Sequence, residues 1–138
     1  MSKLSEKQRH SLVSAAHQAR KGAYAPYSDY PVGAALVTKG GQLYTGANVE
    51  NAAYPISMCA ERTALFHAVT QGEREFEAIA VVTRDGGTPC GSCRQALSEF
   101  GLETVVLVAN EDGDIVQEST VGDLLPGAFG PSNLDAGS

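Results

Sequence analysis

The sequence predicts an α/β fold in which helices sandwich a mixed sheet. Two observations carry that reading. Helix-period segments alternate with short apolar, β-branched runs in the order α-β-β-α-β-α-β-β. The chain has 138 residues, enough for one domain with a real core and no disulfides. Residues 1–138 are therefore read as a single domain, with 131–138 as a loose tail; no repeat or low-complexity segment interrupts it.

Ser5-Glu6-Lys7-Gln8 has the form of a capping box, and Leu12, Ala15, Ala16, Ala19 and Ala23 follow at helical spacing, so a first helix runs to about residue 22 or 23. Two prolines break 25–31 into a loop. The apolar run 32–38, the turn Lys39-Gly40-Gly41 and the return 42–47 read as a β-hairpin. Residues 48–58 are irregular, with Pro55 arguing against a helix. Ala60, Ala64, Leu65, Ala68 and Val69 give a second helix over 59–71 a broad apolar face, and Gly72 ends it. A buried strand at 78–82, a turn at 84–89, a third helix over 91–100 and a strand at 104–109 follow. The turn Glu111-Asp112-Gly113 leads to a short strand at 115–118, and 121–125 reads as a last helical turn.

Lysine and arginine number 10 against 16 aspartate and glutamate, a net charge of −6. That acidic balance argues against a long nucleic acid as ligand. The charged start Met1-Ser2-Lys3-Leu4-Ser5-Glu6-Lys7 lacks an apolar signal core, and no run reaches membrane-span length, so a cytoplasmic address without a membrane partner is expected. An odd cysteine count in a reducing compartment favours metal or catalytic use over disulfides.

All three cysteines fall in two short motifs, Cys59-Ala60-Glu61-Arg62 and Pro89-Cys90-Gly91-Ser92-Cys93-Arg94-Gln95. Each motif opens a predicted helix, where unpaired N–H groups stabilise thiolate. Three thiolates around zinc leave one corner of the tetrahedron open, as a catalytic site requires. Glu61 lies two residues from Cys59 as a proton carrier. Two plainer readings stand beside this. Cys90-Gly91-Ser92-Cys93 alone fits a thioredoxin-type redox pair, which leaves Cys59 and Glu61 unexplained. A structural Cys₃His zinc site would need His10, His17 or His67, none at a ligand-like spacing from a cysteine.

Charge balance bears on the metal's chemistry. One zinc ion with three thiolates sums to −1, a poor Lewis acid, so a cation must offset the excess. Arg62, three residues after Cys59, and Arg94, four after Cys90, both have helical spacings that let a guanidinium reach the metal side. Arg62 is expected to hydrogen-bond a ligand sulfur.

Five stretches in this order resemble the cytidine deaminase family in its small, three-cysteine form: Tyr27 to Ala35, Asn48-Val49-Glu50-Asn51-Ala52, Cys59 to Ala64, Pro89 to Gln95, and Leu124 to Phe129. The likeness spans nearly the whole chain. It implies a three-layer sandwich, a mixed five-stranded sheet with helices on both faces. It implies one zinc ion per chain held by Cys59, Cys90 and Cys93, with water in the fourth position and Glu61 moving protons between that water, N3 of cytosine and the departing amine. By the same resemblance Asn48 and Glu50 bind ribose hydroxyls, Ala60 contacts the substrate, and Tyr30 and Phe129 place rings against the pyrimidine. Tyr54 reaches the sugar from a neighbouring subunit of a homotetramer whose active sites are shared. The activity implied is hydrolytic deamination of cytidine and 2′-deoxycytidine in pyrimidine salvage.

Some positions depart from the family pattern. The family more often has Phe at position 30, so the Tyr30 hydroxyl needs a partner or water. The connection from Arg84 to Thr88 is short, which could open the pocket lip. Ala47 stands where a fourth cysteine often does. Without the motif context, Asn48 and Glu50 would read as a turn-former and a solvated carboxylate. The competing functions are a deaminase of a cytosine-nucleoside antibiotic such as blasticidin S, a polynucleotide-editing deaminase, and a zinc-stabilised binding module without catalysis.

Overall fold

Ser5 caps the first helix as its sequence predicts: its hydroxyl accepts from the Gln8 backbone N–H at 3.1 Å and the Gln8 side chain returns the bond at 2.7 Å. The computed structural model describes residues 4–134. Helix α1 (Glu6–Arg20) ends two residues earlier than its alanine pattern suggests, and it buries Leu12, Val13 and Ala16. Strands β1 (Gly33–Thr38) and β2 (Leu43–Ala47) form the predicted antiparallel hairpin. A 3₁₀ turn at Tyr54–Ile56 interrupts the irregular 48–58 segment; Pro55 sits inside this first turn, where its missing N–H costs nothing. Next come α2 (Ala60–Thr70), β3 (Phe76–Val82), α3 (Gly91–Ser98), β4 (Val105–Ala109), β5 (Ile115–Thr120) and the short helix α4 (Val121–Leu124). The tail expected to be loose contains a helical turn, α5 (Pro131–Leu134); residues 135–138 lie outside the described residues.

The five strands form one sheet in the order β2-β1-β3-β4-β5. Only β3 and β4 run parallel, joined by a crossover through α3. The sheet is mixed, as expected, and helices cover both faces. The alternation along each strand divides the core in two. Leu36, Ile79, Val81, Val106 and Val108 pack on one face with Ala64, Leu65 and Ala68 of α2 and Leu97 of α3. Ala35, Ala78, Ala80, Leu107 and Ala109 pack on the other with Leu12, Val13 and Ala16 of α1. The alanines keep that second layer thin. Burial on both faces explains why β3 and β4 read as unbroken apolar runs rather than as alternating ones.

One close approach sets the position of the second helix. A Cβ on Gly46 of β2 would lie 2.6 Å from the Ala64 backbone nitrogen and 2.9 Å from the Ala60 carbonyl oxygen. The first turns of α2 therefore rest directly on the β2 backbone, which only glycine permits. This brings the N-terminus of α2 beside that of α3, at the carboxyl end of β3. Clefts at the carboxyl ends of α/β strands are the usual ligand sites of such sheets. Among the described residues, no helix is long and apolar enough to cross a membrane.

Candidate active site and metal centre

Cys59 is the N-cap of α2 and Cys90 the N-cap of α3, and neither makes a side-chain cap bond. Each sulfur is left free to face the other helix. Cys93 lies one turn into α3 and is fully buried. The Cys59 and Cys90 sulfurs are 3.7 Å apart, those of Cys90 and Cys93 3.5 Å, and all three lie within 4.8 Å of one another. Zinc–sulfur bonds of about 2.3 Å at tetrahedral angles put sulfurs roughly 3.8 Å apart, so the cage fits zinc. Cys59 joins the Cys90–Cys93 pair in one cluster, which a two-cysteine redox motif does not require and a three-thiolate metal site does.

Without a metal, the charge around the cage favours the thiolate at Cys59 first. The Cys59 thiol is pulled down to about 5, first by a hydrogen bond from Cys93, then by the Arg62 guanidinium and Cys90, against the opposing effect of burial. Cys93 is pushed far up by that same bond to Cys59 and by its burial. Arg62 donates to the Cys59 sulfur at 3.5 Å, the contact its spacing predicts.

Glu61, on the first turn of α2, is only 4% exposed. Burial, with the Cys59 sulfur adding to it, raises its carboxyl to about 7. An acid so placed can both take and give a proton near neutral pH. It opens onto a cavity of roughly 380 Å³ that Cys59, Cys90, Ala60, Asn48, Glu50 and Tyr30 also line. Two of the three cage cysteines, the acid and four predicted substrate contacts therefore share one cavity, of a size suited to a small ligand.

The cavity wall is a loop whose polar groups are tied down. The Asn48 side chain accepts from the Val32 N–H at 2.9 Å and donates to the Tyr30 carbonyl at 3.0 Å. Glu50 accepts from the Tyr27 and Ser28 N–H groups at 3.0 and 3.1 Å, and also from the Ser28 hydroxyl. These bonds, the Ser28 hydroxyl first, hold its carboxyl below the usual range. Neither residue is the idle turn-former or solvated charge that its local sequence suggests. Each keeps one lone pair or N–H to spare for a ligand.

The zinc-binding region profile of cytidine and deoxycytidylate deaminases matches residues 6–109. The chain belongs to this deaminase family. It is 51% identical over 130 residues to the cytidine deaminase of Halalkalibacterium halodurans, covering 92% of this chain and 98% of that one. It is 49% identical over 126 residues to the cytidine deaminase of Sporosarcina psychrophila, covering 89% and 92%. The crystal structure of cytidine deaminase from Burkholderia pseudomallei superposes with a TM-score of 0.84 at 50% identity, covering 91% of this chain and all of that one. The α/β sandwich, the deaminase family and the zinc cofactor expected from sequence all hold.

Two predicted residues of this deaminase lie outside the cavity. Tyr54 is 68% exposed and packs edge-on to Tyr27 in a neighbouring depression. Phe129 is 55% exposed and sits beyond α3, its carbonyl held by the Gln95 side chain at 2.9 Å. Arg94, whose spacing also allowed it to reach the metal side, bonds elsewhere. Its guanidinium turns from the sulfurs and bonds the Pro89 carbonyl, the Leu124 carbonyl and the Thr88 hydroxyl. Helical spacing allows a long side chain to reach either neighbour, and three fixed acceptors outcompete one soft sulfur. The sequence also gave no hint of Asp85, which takes the Tyr30 hydroxyl at 2.6 Å. The available signal was the tyrosine itself, a phenol where the family more often has a bare ring.

Proposed function

We propose that this chain catalyses the hydrolytic deamination of cytidine and 2′-deoxycytidine, giving the uridine nucleosides and ammonia. The observation that carries the reading is the buried Glu61 beside the three-sulfur cage in one ligand-sized cavity. When bound, zinc supplies the Lewis acidity that lets water act as a nucleophile near neutral pH. Glu61 takes a proton from the attacking water and passes it to ring N3, which draws electron density from C4. The water oxygen adds at C4. Glu61 then takes the proton of the hydroxyl now on C4 and gives it to the amino group; the C4–N bond breaks as the C4=O bond forms, and ammonia leaves. The burial of Glu61 favours the protonated carboxyl, which readies it to return the proton it takes.

The other residues bind and orient. Asn48 and Glu50 offer their remaining polar capacity to the ribose hydroxyls, and Ala60, at the start of α2, contacts the base edge. Tyr30 presents its ring as one wall for the pyrimidine. Arg62 offsets the charge of the thiolates. Tyr54 and Phe129 serve a cavity in a neighbouring subunit of a homotetramer; their exposure leaves them free to do so. Free thiols suit the reducing cytoplasm as its place of work. The antibiotic-nucleoside reading is not favoured, because the relatives at about half identity are cytidine deaminases.

The decisive assay incubates the zinc-loaded protein with cytidine, following ultraviolet conversion to uridine and ammonia release. Absence of both products would remove the proposal. Blasticidin S, run in parallel, should turn over far more slowly.

A further inference from the structure

Tyr30 is joined to the turn between β3 and α3 by more than one contact. Its hydroxyl donates to the Asp85 carboxylate at 2.6 Å. The Arg84 guanidinium lies 5.3 Å from the centre of its ring and donates to the Asp29 carbonyl at 3.3 Å. The turn is itself braced, because the Thr83 hydroxyl accepts from the Gly86 and Gly87 N–H groups at 2.8 Å each. Gly87 leaves the phenol its place: a Cβ there would lie 2.7 Å from the Tyr30 hydroxyl oxygen. Tyr30 and Gly87 both line the cavity that holds Glu61.

We infer that Asp85 is a positioning residue for the nucleoside: it latches the Tyr30 hydroxyl to the 84–87 turn and so fixes the ring against which the pyrimidine packs. A ring on a loop is free to rotate about two torsions. A carboxylate at its far end, a cation on its face and a bare glycine beside its hydroxyl leave it one orientation. Fixing it before substrate arrives lowers the ordering cost of binding, and that benefit falls on the bound ground state as much as on the transition state. The short 84–88 connection therefore closes the rim through this latch rather than leaving it open. The inference rests on the cytidine deaminase reading.

The test compares Asp85→Ala, Tyr30→Phe and the double variant in the zinc-loaded protein with cytidine. Each single change should raise KM roughly three- to tenfold, the scale of one ordinary hydrogen bond, since this exposed contact acts on the nucleoside only through the ring, with kcat within about twofold of wild type. The double variant should be no worse than the worse single one, since each removes the same contact. Gly87→Ala should also raise KM, and adding Tyr30→Phe should return it to the Tyr30→Phe value by removing the oxygen that the methyl meets. Additive effects, or a fall in kcat at constant KM, would overturn the assignment. A second measurement needs no turnover. The Tyr30 phenol, identified by its loss in Tyr30→Phe, should titrate at lower pH in Asp85→Ala. An unchanged titration sinks the latch, whereas a wild-type protein that leaves cytidine intact sinks the deaminase reading instead.

Discussion

Arg62 donates to the sulfur of Cys59 at 3.5 Å from one turn further along α2. The helix that carries Cys59 thus carries a cation beside its sulfur. With zinc held by the three thiolates, this guanidinium would withdraw part of the density they push onto the ion and so keep it acidic toward water. Arg62→Gln shortens the side chain and removes the charge, so the contact with sulfur is lost. Zinc affinity, measured by competition with a chromogenic chelator, should fall about 10- to 100-fold, the usual effect of losing a partner that holds a metal ligand. The wild-type protein should carry one zinc per chain, and stripping it should abolish turnover. Equal affinity in the variant would show that the contact is incidental.

Glu61→Gln removes the carboxyl proposed to carry protons while preserving shape. With cytidine, kcat should drop by about 10²- to 10⁴-fold, the range for loss of a general acid–base group, with zinc content unchanged. A variant that bound cytidine normally, from a wild type that never turned it over, would point to a binding module instead.

The fold and the metal cage were legible because they depend on local rules. The capping box at Ser5, the glycine at 72 and the apolar runs of β3 and β4 each act within a few residues. Cys59 and Cys90 announce two helix N-termini, so their meeting needed only that the helices lie side by side. What remained hidden depends on contacts between distant segments. Asp85 and Tyr30 are 55 positions apart, and nothing near either names the other. The acceptors that hold Arg94, among them the Leu124 carbonyl, were equally hidden, although Arg62 was already the arginine expected at the sulfur. The Gly46 contact with α2 is likewise a tertiary fact, visible in sequence only as a glycine inside a strand.

Tyr54 and Phe129 predict a shared site. If a cavity draws Glu61 from one subunit and Phe129 from its neighbour, Glu61→Gln and Phe129→Ala proteins should complement each other. Mixed, unfolded and reassembled at equal amounts, two defective proteins should regain roughly one quarter of wild-type activity, since random pairing leaves that share of sites intact. No gain over the sum of the two parents would confine each site to one chain.

The burial of Glu61 should also be visible in stability, with zinc removed. Its carboxyl rises from 4.5 in the unfolded chain to about 7 in the folded one, chiefly through burial. Between those values the native state holds a proton that the unfolded state has lost, so the stabilising contribution present below 4.5 declines as pH rises toward 7 and is gone above it. Cys59 works in the opposite direction. Its thiol falls from 9.0 to about 5, so its contribution is present above 9 and lost as pH falls through 5. In wild type the two slopes partly cancel between pH 5 and 7. Glu61→Gln removes the first and keeps the second. Denaturant unfolding of the metal-free proteins should therefore show the variant gaining on wild type by on the order of 3 kcal/mol from pH 4.5 to 7, and by nothing further above that. Parallel curves across that window would mean the carboxyl titrates as it would in water, and that its burial does not hold it ready to accept and return a proton.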